Sequence, residues 1–171
     1  FTNASGYLAV VDLATRTVTR QIDLGGQPDS IKISADKRYA AVVIENERDE
    51  ALCAGGSAGG LEVVDDDDYV AGTNTTEDLC ESGGGLPGGL PQTPYGNPAG
   101  YLAVVNLSGP NPFGWTRTDV ALTGLANYGA EDPEPEFVDI NSRNEAVVTL
   151  QENNHVAIVD LKTSNVINHF S

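Results

Sequence analysis

At 171 residues, with 25 acidic against 9 basic side chains and a formal charge of −16, the chain is long enough for one ordinary domain. The charge excludes nucleic acid, which needs a basic footprint, and direct docking on an anionic membrane surface. It suits cationic ligands, of which divalent metal ions are the simplest, although negative charge alone also keeps a secreted protein soluble.

From the N-terminus, a turn-like stretch leads into Gly6-Tyr7-Leu8-Ala9-Val10-Val11-Asp12-Leu13. A short apolar, β-branched run that closes on Asp is the pattern of a buried strand entering a turn. A second strand is predicted over 17–24. Residues 28–46 read as two further strands joined by a polar turn at Ala35-Asp36-Lys37.

Residues 47–99 break the pattern, with low-complexity sequence such as Gly83-Gly84-Gly85-Leu86-Pro87. Such composition buries too little apolar surface to fold alone, so a long functional or decorative loop is expected. Both cysteines, Cys53 and Cys80, lie in it. A disulfide between them would clip the loop, remove about 3–4 kcal/mol of unfolded-state freedom and fit an oxidising compartment. The absence of CxxC or paired-His spacing argues against zinc. The run Asp65-Asp66-Asp67-Asp68 fails as an EF-hand, because counting from Asp66 puts Ala71 where glycine is required; it reads as a solvated charge run. Gly55-Gly56-Ser57-Ala58-Gly59 has nucleophile-elbow spacing without the flanking strand and helix, and is discounted.

Beyond the loop the strand pattern returns. Gly100-Tyr101-Leu102-Ala103-Val104-Val105-Asn106-Leu107 repeats the first strand almost letter for letter, and another strand is predicted over 116–122. Phe113 and Trp115, in the Pro/Gly turn between them, are expected to pack against the sheet edge. Residues 135–153 align without gaps on 28–46, with Pro135 on Pro28, Ile140 on Ile33, and Glu152-Asn153 on Glu45-Asn46. Asn154-His155-Val156-Ala157-Ile158-Val159-Asp160-Leu161 is a looser third copy of the first strand, followed by a strand over 165–170. The two histidines, His155 and His169, read as ordinary strand residues, with His155 near Glu152.

No stretch sustains a helical apolar period. A repeated antiparallel unit of four strands, about 40–45 residues long, is the signature of a propeller blade. The expected fold is therefore all-β, a β-propeller fragment of about two and a half four-stranded antiparallel blades with a long disulfide-clipped insertion. Residues 1–27 form the outer half of a blade, 28–125 a blade interrupted by the insertion at 47–99, and 126–171 a further blade. A propeller needs about four blades to close, so both ends read as cuts. No apolar run reaches transmembrane length. The cysteine pair and the sequons at Asn3, Asn74 and Asn106 suit an extracellular, secreted or cell-surface location.

The pattern Ala-Val-Val-Asp-Leu, then Gly-Gly-Gln-Pro-Asp, then Ile-Ser-Ala-Asp-Lys-Arg-Tyr resembles YVTN-type propeller repeats. The stretch from Asp132-Pro133-Glu134-Pro135 through Leu150-Gln151-Glu152-Asn153-Asn154 is more specific. It resembles the secreted choice-of-anchor or esterase-like phytase propellers, whose relatives include atypical bacterial alkaline phosphatases and mesenchyme-specific cell surface glycoprotein. The resemblance implies a calcium-dependent phosphoesterase or a surface glycoprotein of calcified matrix, and bears on fold more than chemistry.

In a blade the first strand lines the central channel, and the loops before it and after the second strand open on one face. Asp29, Glu45, Glu131, Asp132, Glu134, Glu136 and Glu152 are thus expected on one rim. Carboxylates at close range repel unless cations or protons intervene. Calcium takes six to eight oxygens from carboxylates and amide carbonyls, so Glu beside Asn is suitable chemistry. The candidate metal ligands are Asp29, Glu45, Asn46, Glu134, Glu136, Glu152 and Asn153, with calcium as the expected cofactor and no catalytic residue assigned. Such a calcium cluster would hold a phosphate ester and activate water. Against this, the only basic residues near the rim are Arg48 and Arg143, which favours a non-catalytic propeller that binds matrix proteins. The structural alternative for the same residues is a solvated acidic rim with Asn in turns.

Overall fold

The computed structural model describes residues 5–46 and 98–171. Within them the chain forms β1 (Tyr7–Asp12), β2 (Thr17–Asp23), β3 (Pro28–Ile33), β4 (Tyr39–Ile44), β5 (Tyr101–Asn106), β6 (Thr116–Ala121), β7 (Pro135–Ile140), β8 (Glu145–Leu150), β9 (His155–Asp160) and β10 (Asn165–Phe170). One 3-10 turn, Pro112–Gly114, precedes β6. The cysteine pair, the Asp65–68 run, the Gly55–59 motif and Arg48 lie outside the described residues.

All pairing is antiparallel between neighbours in sequence. Strands β3-β4-β5-β6 form one four-stranded meander, β7-β8-β9-β10 a second, and β1-β2 a two-stranded sheet. These are two β-propeller blades and the outer strands of a third. The middle blade lies between the other two sheets, which is why all six residues of β4 are buried although alternation would expose half of them. Ala40, Val42, Ile44, Ala103 and Val105 face the β1-β2 sheet, meeting Leu8, Ile22 and Leu24. The alternate residues Ala41, Val43, Leu102 and Val104 face the last blade, meeting Ala146, Val148, Leu150, Ala157 and Val159. Alanines at 40, 41, 103, 146 and 157, none more than 1% exposed, let the sheets approach closely. The larger aliphatics between them each contribute about 1.5–3 kcal/mol by burial.

The repeat is structural, with one slip. Ser34 N–H bonds to the Tyr39 carbonyl across the first turn, whereas Asn141 N–H bonds to the Glu145 carbonyl across the second. The second turn is thus one residue shorter. Ile31 accordingly pairs with Val42, but Val138 pairs with Val148. The residue is restored after β8, so that Asn46 and Asn153 occupy equivalent places again. A gapless alignment of 28–46 on 135–153 therefore holds at both ends and fails by one residue along β4 and β8.

Candidate functional site

The inner strands β3 and β7 lie side by side and run the same way. Lys32 and Asp139, at equivalent repeat positions, form a 2.8 Å salt bridge. At the adjoining turns Asn144 Nδ2 donates to Asp36 Oδ2 at 2.8 Å. Opposite charges thus join the strands at one end. At the other end the equivalent positions are Asp29 and Glu136, both acidic. Glu136 is half-buried, and its Oε2 is buried with no hydrogen-bond partner. Burial first, then the charges of Glu152 and Asp29, push its carboxyl above the ordinary range. Asp29 and Glu152 therefore both act on Glu136, where β3 and β7 begin.

The other expected ligands are placed differently. Asn46 Oδ1 accepts the Gln27 N–H at 2.8 Å, and its amide donates to the Ala99 carbonyl at 3.4 Å. Asn153 Oδ1 accepts the Glu134 N–H at 2.9 Å, and its amide reaches the carbonyls of Tyr128, Gly129 and Asp132. Each asparagine ties the segment leading into an inner strand to the end of the next strand, satisfying backbone groups that would otherwise be buried unpaired. Glu134 and Asp132 are buried, Glu45 is half-buried and Glu131 is exposed. Among the described residues, no group of three or more His, Cys, Asp or Glu is set to hold a metal ion. Arg143, expected near the rim, sits on the opposite turn, bonded to Glu145 at 2.7 Å.

Two glycines fit the inner strands onto the preceding sheet. A Cβ on Gly100 would lie 2.6 Å from Pro135 Cδ and 3.0 Å from the Glu45 carbonyl oxygen. One on Gly6 would lie 2.9 Å from Pro28 Cγ. Each glycine thus sits against the proline that opens the next inner strand.

Three features depart from the sequence reading or go beyond it. Tyr101 donates to the Leu24 carbonyl, and Arg117 joins the Tyr101 hydroxyl, the Asp23 carbonyl and both Asp119 oxygens, clamping the middle blade to the β1-β2 sheet. His155 and His169 are not merely strand residues: their rings are hydrogen-bonded at 2.9 Å, Nε2 to Nδ1. His155 is 5% exposed; burial and His169 push its pKa down. Phe113, expected to pack, is 70% exposed with Arg20 at 6.0 Å over its ring. Trp115 does pack against the buried cluster around Ile22.

Residues 116–171, from β6 through β10, match the family model described as the choice-of-anchor I domain. That domain is associated with secreted and cell-surface proteins. The match bears on the choice-of-anchor part of the resemblance and not on phytase or phosphatase. The chain is similar in structure to Kuenenia stuttgartiensis hydrazine synthase, with a TM-score of 0.53 and 12% identity. The likeness covers 92% of this chain but only 34% of that one, so this chain spans about a third of its length, and it concerns the fold alone. No curated protein matches the chain. Among the described residues, no helix is long and apolar enough to cross a membrane.

Proposed function

We propose that the protein is a secreted or cell-surface β-propeller of the choice-of-anchor kind that binds calcium at the mouth where β3 and β7 begin. The observation behind this reading is the Glu136 carboxylate, with one oxygen buried and unpartnered and with Asp29 and Glu152 acting on it. A carboxylate whose charged form is disfavoured by burial and by neighbouring acids gains from a metal cation at its side. Asp29, Glu136 and Glu152 supply the charge, and Asn46 and Asn153 fix the backbone that carries it. No preassembled set of three ligands is present among the described residues, so side chains must turn to close on the ion. That cost favours an affinity in the range of extracellular calcium modules, about 10⁻⁴–10⁻³ M.

Phosphate-ester hydrolysis would use the same ion to hold the ester and activate water. The nearest inner-strand cation, Lys32, is already paired with Asp139. Binding to matrix partners through the mouth, without turnover, is therefore the reading we adopt. Calorimetric titration with calcium should give saturable binding that is lost in the Asp29→Asn, Glu136→Gln double variant. Absence of binding to the unsubstituted chain would end the calcium reading. Calcium-dependent cleavage of p-nitrophenyl phosphate, abolished by the same double variant, would replace the binding role with hydrolysis.

A further inference from the structure

The third strand of each repeat closes on a residue whose side-chain oxygen caps the turn that follows. Asp12 Oδ1 accepts the Ala14 N–H at 2.8 Å, and Asp160 Oδ1 accepts the Lys162 N–H at 2.8 Å. In the middle blade Asn106 Oδ1 accepts the Ser108 N–H at 2.9 Å. An acceptor oxygen two residues before the donor is all that such a turn requires. Aspartate supplies it in two copies, with Ala14 and Lys162 at the donor place. Asn106 brings in addition an amide, and Ser108 a hydroxyl, that the turn does not use. Among the described residues neither Asn106 Nδ2 nor Ser108 Oγ has a hydrogen-bond partner.

Asn106-Leu107-Ser108 has the spacing of an N-glycosylation acceptor, with no proline at the middle place. The fold holds this tripeptide open. Asn106 and Ser108 are exposed. Leu107 between them packs on the cluster around Ile22, and its N–H bonds to the Arg38 carbonyl at 2.8 Å. The middle blade has a sheet on either side of it, so this turn is open with both neighbours in place. Asn106 pairs with Tyr39, whereas Ile44, at the other end of β4, pairs with Pro28. The tripeptide is therefore at the end of the blade away from Asp29, about 17 Å along the strand. A sugar there leaves the mouth where β3 and β7 begin unobstructed.

We propose that Asn106 is an N-glycosylation site and carries an oligosaccharide on Nδ2. In the transfer, Nδ2 displaces the diphosphate from C1 of a lipid-linked oligosaccharyl diphosphate. A C–N bond forms, the C–O bond to the diphosphate breaks, and the amide gives up one proton. The bond from Ser108 to Asn106 needs no distant contact, so the acceptor turn is available to a chain that has not yet folded, and the finished blade has room for the product. The inference rests on the secreted or cell-surface reading and is independent of the calcium site.

The test uses the full chain secreted from eukaryotic cells behind an added export signal. Enzymatic removal of N-glycans leaves aspartate where a sugar stood, and mass spectrometry of peptides reads positions 3, 74 and 106 separately. Sugar at Asn106 is expected. It should be lost, as a smaller mass of the intact chain, in Ser108→Ala, which keeps the backbone N–H that Asn106 accepts, and in Asn106→Asp, which reproduces the other two copies. Both variants should match the deglycosylated chain in urea midpoint. A secreted chain with Asn106 unmodified would overturn the proposal, whatever Asn3 and Asn74 carry. So would sugar at Asn106 that survives Ser108→Ala. Fractionation of the source cells tests the location reading separately from the site.

Discussion

Replacing Gly100 with alanine probes the way one blade seats the next. Gly100 is not among the glycines of positive φ, so alanine is acceptable to the backbone there, and only the new methyl matters. That methyl would meet Pro135 Cδ at 2.6 Å and the Glu45 carbonyl oxygen at 3.0 Å, with the Pro133 carbonyl oxygen nearer still. Two of the three are backbone atoms and the third is a rigid ring, so relief requires the β7 lead-in to retreat by roughly 1 Å, and overpacking of this kind costs about 1–3 kcal/mol. At a chain of this size the cost corresponds to a fall in Tm of about 2–4 °C per kcal/mol. Gly114, where a Cβ would find nothing within 4 Å, is the internal control, and Gly114→Ala should be neutral or stabilising by about 0.4–1 kcal/mol. Urea unfolding of both variants beside the unsubstituted chain makes the comparison. Gly100→Ala as stable as Gly114→Ala would refute the seating of β7 against the start of β5.

Leu150, fully buried between the two complete blades, should cost about 2–5 kcal/mol as Leu150→Ala, read as a lower urea midpoint. Tyr101→Phe removes the donor to the Leu24 carbonyl and a partner of Arg117; a loss of about 1–3 kcal/mol is expected for the acceptor left unsatisfied. Glu136 has its pKa raised in the fold by burial and by Glu152 and Asp29, so the fold prefers the protonated form. Without calcium, stability should rise as pH falls through the range just above the ordinary glutamate value, and Glu136→Gln should erase that slope and unfold at higher urea at neutral pH. Asp36 has its pKa lowered by hydrogen bonds from Asn144 and Ser34. The resulting stability is present above the ordinary aspartate range and lost as pH falls through it, so the penalty of Asn144→Gly, which keeps the positive φ at that turn, should shrink in acid.

The blades were legible because each copy of the strand repeat carries its own apolar alternation and its own turn, and neither depends on distant contacts. The one-residue slip along β8 was hidden because the turn lost what the loop after the strand regained, leaving both ends of the repeat in step. Blade geometry puts Asp29 and Glu136 at one end, since equivalent positions on adjoining inner strands share an end, and the loop after the second strand brings Glu152 to the same face, in keeping with the charges that act on Glu136. Asn46 and Asn153 are read as ligands because Asn beside Glu has ligand chemistry; sequence does not show which backbone donors need a partner, and in the fold their Oδ1 atoms accept the N–H groups of Gln27 and Glu134. The Tyr101, Arg117 and Asp119 clamp depends on carbonyls of Asp23 and Leu24, far away in the chain, and no local pattern announces such a contact.

The account stands on Asp29 and Glu136 being neighbours across adjoining inner strands, as Lys32 and Asp139 are at the far end. NMR titration of the Glu136 carboxyl in Asp29→Lys measures this directly. A fall in its pKa toward the ordinary glutamate range is predicted, because one repelling charge has become an attracting one while burial and Glu152 still act to raise it. An unchanged Glu136 titration would contradict the shared mouth.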